Sequence, residues 1–315
     1  MRLVLLLLSI FLVQCSPVSR ESLERPKLKN GFEYYAASVD SLNSGSFNAA
    51  LDLVNEAIKL NPRYSKFYLL QGDIYNQIDN KEAALKSYTN ATKLRSASVE
   101  AYLRIANIYE KEYKNYDEAI KYYRKASSID VTNYKLLLNI GECYLAKNEI
   151  TLAKNKSEEY RNHVVAENKT PDFGYYYLIG RINYLQNNYT DAKSELLNAL
   201  KLQPLHFDTK LLLIRTLFKL NELEKGLQYT NELLNQNDQV GELYYFRALY
   251  YFKKEKYDDA LRLFNQALNL DQQLIKSHFY LGKIYEQTGD KEKSLYHLQL
   301  YRKSSKQDEY IIDSP

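Results

Sequence analysis

From residue 31 to residue 308, apolar residues recur at offsets of three, four and seven with polar residues between them, the spacing of amphipathic helices. The clearest stretch is Glu242 to Asp271, ELYYFRALYYFKKEKYDDALRLFNQALNLD. Tyr244, Ala248 and Tyr251 fall on one face of a first helix. Ala260, Phe264 and Ala267 fall on one face of a second, and Lys254-Glu255-Lys256 joins the two. Ala248 and Ala260 put little side chain between the paired helices, so the backbones can approach while Tyr and Phe fill the space beside them. One such hairpin cannot bury its apolar face alone. It needs copies of itself.

The copies follow in register. The small residue at Ala260 recurs as Ala50, Ala84, Ala119, Ala153, Ala192, Gly226 and Ser294, in steps of 34, 35, 34, 39, 34, 34 and 34 residues. A second small ladder runs through Ser38, Gly72, Ala106, Gly141, Gly180, Ala248 and Gly282 near the eighth position of each copy. Tyrosine fills the fourth position at Tyr34, Tyr68, Tyr102, Tyr176 and Tyr244, and the eleventh at Tyr75, Tyr109, Tyr144, Tyr251 and Tyr285. A helix-turn-helix at this period resembles the tetratricopeptide repeat (TPR) family. The resemblance implies an all-α fold, a right-handed α-solenoid of about eight repeats at 31–64, 65–98, 99–133, 134–172, 173–206, 207–240, 241–274 and 275–308. The chain departs from the family pattern in having no Trp and in a degenerate sixth repeat, with Lys210, Ile214 and Leu233 at ladder positions. The fourth repeat carries five extra residues, placed in the polar stretch Ala166 to Asp172 as a longer connection. That insertion is read either as a tolerated loop or as a hinge between two four-repeat halves.

Ahead of the repeats stands MRLVLLLLSIFLVQ, residues 1–14, with Arg2 and an apolar run too short to span a bilayer as a lone helix but suited to a secretory signal. Leu12-Val13-Gln14-Cys15 resembles a bacterial lipobox, although Gln14 stands where that family usually has a small residue. The resemblance implies lipidation at Cys15 and a protein of the cell envelope, anchored in the outer membrane and facing the periplasm. Ordinary secretion, with cleavage near Ser16 to Ser19, is the alternative. Residues 15–30, with Pro17 and Pro26, read as a flexible tether, and 309–315 as a C-terminal tail. Either Tyr310, Ile311 and Ile312 of that tail are expected to fold back over the open end of the last repeat, or a partner is expected to cover it. The net charge of +4 over 315 residues is far from a nucleic-acid footprint.

Catalytic and metal-binding patterns are missing from the sequence. His163, His206, His278 and His297 are scattered, and there is no H-E-x-x-H, phosphate loop or G-x-S-x-G elbow. The expectation is a non-enzyme without cofactor, metal or small-molecule substrate. Cys143 reads as a small buried apolar residue, and His278 as a replacement for a core tyrosine.

Stacked helix pairs form a concave surface lined by their first helices. The TPR resemblance places Tyr177, Arg181, Tyr184, Arg215, Phe218, Lys219, Tyr245, Phe246, Phe252, Lys253, Phe279 and Lys283 on that wall, against Asp73, Glu100 and Glu142 in the first half. An aromatic, cationic trough suits protein segments with apolar side chains and some negative charge. The carboxylate clamp of co-chaperone members is broken here: Asn107 and Asn139 match, but Leu103, Gly174 and Leu178 replace its basic residues. The expected function is a membrane-anchored scaffold that docks partner segments in envelope assembly or secretion. The alternatives are an adaptor for a cell-wall hydrolase or protease, and a peptidoglycan-binding solenoid.

Overall fold

A computed structural model of the chain describes residues 28, 30–94 and 99–305. The signal stretch 1–14, Cys15, most of the tether and the tail 309–315 lie outside the described residues. Among those described there are 16 helices and no strand. They come as pairs: α1 (Gly31–Asn43) with α2 (Phe47–Leu60), α3 (Ser65–Gln77) with α4 (Lys81–Thr92), α5 (Val99–Lys111) with α6 (Tyr116–Ile129), and α7 (Lys135–Ala146) with α8 (Ile150–Ala166). The pairs continue as α9 (Phe173–Leu185) with α10 (Tyr189–Leu202), α11 (Phe207–Lys219) with α12 (Leu223–Leu234), α13 (Gly241–Lys253) with α14 (Tyr257–Leu270), and α15 (Lys276–Thr288) with α16 (Lys291–Ser305). No described helix is long and apolar enough to cross a membrane.

The chain divides into two compact units, residues 1–101 and 102–315. In the first, Phe67 is fully buried and met by the rings of Tyr64, Tyr35 and Phe32 at 4.8, 5.3 and 5.6 Å. The two small ladders face each other there, since Ser38 Oγ donates to the Ala50 carbonyl oxygen at 2.8 Å. In the second unit each helix packs on its chain neighbours, and first helices of successive repeats lie side by side, α7 against α9, α9 against α11 and α13 against α15. This stacking of helix pairs is the α-solenoid class. Ala119, Ala153, Ala192 and Ala260 are all fully buried, as the ladder requires. In the degenerate sixth repeat Ile214 is also fully buried, and a Cβ at Gly226 would come within 2.7 Å of the Phe218 ring. The smaller residue on the second helix thus makes room for the larger ring on the first.

The insertion in the fourth repeat is shorter as a loop than the sequence implied. The second helix α8 has 17 residues where α6, α10 and α14 have 14, so part of the insertion is helix. The added turn is held by His163, stacked on Tyr134 at 4.3 Å. Asp172, which caps α9, donates its N–H to the Tyr160 hydroxyl at 3.4 Å and pairs with Lys135 at 3.3 Å. Those ties tell against slack at this point.

The turn inside every hairpin has one construction. Gly45, Asp79, Lys114, Asn148, Asn187, Asn221, Glu255 and Gly289 all have positive φ, at the same phase as the alanine ladder. The next residue's N–H bonds back across the turn, as Lys256 does to the Tyr251 carbonyl at 2.9 Å and Asn80 to that of Tyr75 at 2.9 Å. This is a Schellman-type closure, which favours Gly or Asn. Lys114 and Glu255 supply the left-handed conformation against the preference of L-residues. Glu255→Gly is therefore expected to stabilise the chain by about 0.5–1 kcal/mol, the relieved strain exceeding the entropy that glycine loses. A raised denaturant midpoint at unchanged slope would register it; a lowered midpoint would refute it.

Candidate protein-docking surface

Within residues 102–315 the first helices bring ionic side chains of neighbouring repeats together. Glu142 on α7 and Arg181 on α9 are both ninth-position residues, and Arg181 Nη1 donates to Glu142 Oε2. The Arg181 guanidinium also sits 5.4 Å from the centre of the Tyr177 ring. One step on, Arg215 Nε and Nη2 on α11 donate to the two carboxylate oxygens of Glu242 on α13, at 2.6 and 2.7 Å. This is bidentate recognition with geometric specificity, and the bonds to Glu242 raise the Arg215 pKa against the effect of burial. Lys283 pairs with Glu286 at 2.9 Å. In the first half, Asp73 accepts from the Tyr88 hydroxyl at 2.7 Å, and Asn107 from that of Tyr123 at 2.7 Å.

These pairings change the electrostatic picture drawn from the sequence. The expected cationic trough is largely cancelled at Arg181, Arg215 and Lys283, each holding a carboxylate of the same chain. Glu242 is the residue the sequence reasoning missed. It stands at the second position of its repeat, itself a wall position, so the register alone sets it beside the Arg215 of the preceding repeat.

The aromatic candidates divide by burial. Phe246 is only 7% exposed and packs on Phe218 at 5.0 Å, so it belongs to the core rather than to an open wall. Tyr245 packs between Phe264 and Tyr280, at 5.8 and 6.1 Å, and burial together with Tyr280 pushes its phenol far above the ordinary range. Phe252 meets Tyr280 at 5.1 Å, and Phe279 meets Tyr301 at 5.3 Å. Tyr177 stacks with Phe173 at 5.6 Å, while Tyr184 meets Tyr189 edge-on at 5.5 Å. The outer rim is open: Lys219 and Lys253 are exposed at the thirteenth position of their repeats. Leu185, in the same row one repeat earlier, is 50% exposed, and the sequence reasoning had not singled it out.

The remaining candidate chemistry is structural. Cys143 is fully buried, and burial raises its thiol to about 12, so it is held as a neutral thiol. His206 caps α11, its Nδ1 accepting the Thr209 N–H at 3.2 Å. His278 and His297 join α15 to α16 with their Nδ1 atoms 3.0 Å apart, and Tyr285 stacks on His297 at 5.6 Å. Burial lowers both imidazole pKa values, with His278 adding to the effect at His297. Two neutral rings can share one N–H···N bond; two protonated rings repel. The stability they confer is complete above the ordinary imidazole value of 6.5 and is lost as pH falls from there through the lowered folded values. The double variant His278→Tyr with His297→Phe is expected to flatten the pH dependence of unfolding between about pH 6.5 and 5. A slope equal to that of the native chain would refute this role. Among the described residues no group of three or more His, Cys, Asp or Glu could hold a metal ion.

Comparison with known proteins agrees with this architecture. Tetratricopeptide repeat models match residues 35–88, 99–132 and 172–241, and a TPR repeat model matches residues 249–289. The chain belongs to the tetratricopeptide repeat family. A TPR repeat-containing protein of Methanocaldococcus jannaschii is 26% identical over 208 residues, covering 64% of this chain and 36% of its own length. The chain thus spans about a third of that curated relative. A tetratricopeptide repeat protein from Parabacteroides merdae superposes with a TM-score of 0.58 at 15% identity, over 81% of this chain and 98% of that one. The structure titled PilW, a widely conserved type IV pilus biogenesis factor, superposes with a TM-score of 0.54 at 18% identity, over 65% and 92% of the two chains. As a class, the protein is a TPR-type interaction scaffold.

Proposed function

We propose that the chain is a non-catalytic docking protein of the cell envelope, lipid-anchored at Cys15, whose first-helix wall in residues 102–315 holds an extended segment of a protein partner. One observation carries the reading. The wall is braced before any partner arrives, by Arg181 on Glu142 and by Arg215 on Glu242, while the rim residues Leu185, Lys219 and Lys253 stay exposed. Preorganisation of this kind lowers the ordering cost of binding. The segment would lay apolar side chains against Leu185 and Tyr177 and offer carboxylates to the two lysines. The likeness to a pilus biogenesis factor and the export-type start both fit a role in envelope assembly.

Photocrosslinkers at positions 185, 219 and 253 of the full chain in its native envelope test the reading. A protein partner is expected at these positions and not at Arg262, which is exposed on α14. Lys219→Glu with Lys253→Glu should weaken capture several-fold and remove its salt dependence, as rim charges govern association. Crosslinking at Arg262 alone, or undiminished capture by the double variant, would overturn the wall assignment. Cys15→Ala should release the chain from the membrane fraction; retention would overturn the anchor. Arg181→Glu and Arg215→Glu are the wrong probes, since each sets a carboxylate beside Glu142 or Glu242 and so tests stability.

A further inference from the structure

The sixth repeat lacks the tyrosine that five of the eight repeats carry at the fourth position, and here the place is taken by a lysine beside a groove between α10, α11 and α12. In the second repeat Tyr68 fills this position, and its hydroxyl donates to the carbonyl oxygen of Pro62, which ends the repeat before, at 3.1 Å. Pro204 holds the equivalent place before the sixth repeat, but the fourth position is Lys210. Its ammonium turns away to Glu232 at 3.3 Å. What remains is a shallow, solvent-open groove of about 490 Å³ between α10, α11 and α12, bounded by Leu197, Lys201, Pro204, Lys210, Tyr229 and Glu232.

The chemistry of the groove is unbalanced. Lys210 is only 8% exposed, and its ammonium has three donors. Glu232 accepts one of them at long range and is itself shared with Gln228 at 3.3 Å. A buried ammonium is costly unless its charge and donors are answered. Lys201, exposed at the rim, adds a second cation to a lining whose one carboxylate is Glu232, and its ammonium donates to Asn198 Oδ1 at 3.0 Å. Leu197, Pro204 and Tyr229 supply apolar lining to the same groove.

We propose that this groove binds a small aromatic carboxylate. The ring takes the place of the absent tyrosine against Pro204, Leu197 and Tyr229. The carboxylate accepts from the Lys210 ammonium, with Lys201 beside it. The site uses the fourth position of α11 together with α10 and α12, and shares no residue with the proposed first-helix wall.

Phenylacetate titrated into the full chain, with phenylacetamide as its neutral counterpart, tests the assignment by calorimetry or chemical-shift changes at Lys210 and Tyr229. Phenylacetate is expected to bind about tenfold more tightly than the amide, the worth of one charge-assisted hydrogen bond. Glu232→Gln, which removes the competing carboxylate, should tighten phenylacetate further. Lys210→Tyr restores the ladder residue and should keep the helical fold while abolishing binding. Lys210→Met should reduce the acid's advantage over the amide, and Lys210→Met with Lys201→Met should make the two equal. Equal binding of the two probes by the native chain, no saturable binding of phenylacetate, or full binding by folded Lys210→Tyr would each overturn the proposal.

Discussion

Replacing Phe264 by alanine is expected to lower the unfolding free energy by about 3–5 kcal/mol, the cost of emptying a large buried aromatic site. The ring is fully buried. It lies parallel to Tyr280 of the last repeat, with centres 5.3 Å apart and planes 2° apart, and 5.8 Å from Tyr245 on its own first helix. Stacked repeats touch only their neighbours, so losing an interface contact loosens one joint more than the rest. Protection against hydrogen exchange should therefore fall first in α15 and α16, while α9 to α12 keep theirs. A loss under about 1 kcal/mol, or a uniform fall in protection along the chain, would contradict this account.

Gly72→Ala is expected to destabilise by about 1–3 kcal/mol, although alanine is the better helix former. A Cβ at this position would stand 2.4 Å from the Tyr88 ring, well inside contact distance. The ring cannot easily retreat, being 1% exposed and tied through its hydroxyl to Asp73 at 2.7 Å. Gly45 has a positive φ and open space around it, so Gly45→Ala provides a control that fails by backbone strain and not by collision. A lowered melting temperature for Gly72→Ala, reversed by adding Tyr88→Phe or Tyr88→Leu, would identify the collision. No change in melting temperature would show that the helices can part.

The fold was legible because small and aromatic residues must recur wherever one hairpin meets the next. Ala50, Ala119 and Ala260 declare the close approach in the sequence itself. The turns were less legible. Lys114 and Glu255 carry no turn chemistry, and only the backbone shows that they do what Gly45 and Gly289 do. The extra turn of α8 escaped notice because Tyr160 and His163 secure it through Asp172 and Tyr134, contacts that no local pattern announces. The first-helix face was legible by position but not by charge. Arg215 and Glu242 lie 27 residues apart, and Glu142 and Arg181 lie 39 apart. Composition counts such residues as separate ions, whereas stacking cancels them. Phe246 was misplaced for a related reason: Gly226 draws the Phe218 ring inward, and Phe246 packs against it.

The recurring left-handed residue has a consequence for how such a chain can lengthen. Each hairpin fastens its own bend with a backbone bond, independent of the side chains on either side. A duplicated segment of 34 residues would therefore arrive with its reversal already built, needing only compatible faces at its two junctions. An insertion of any other length shifts the phase and has to be absorbed locally, as α8 absorbs part of its surplus by winding further.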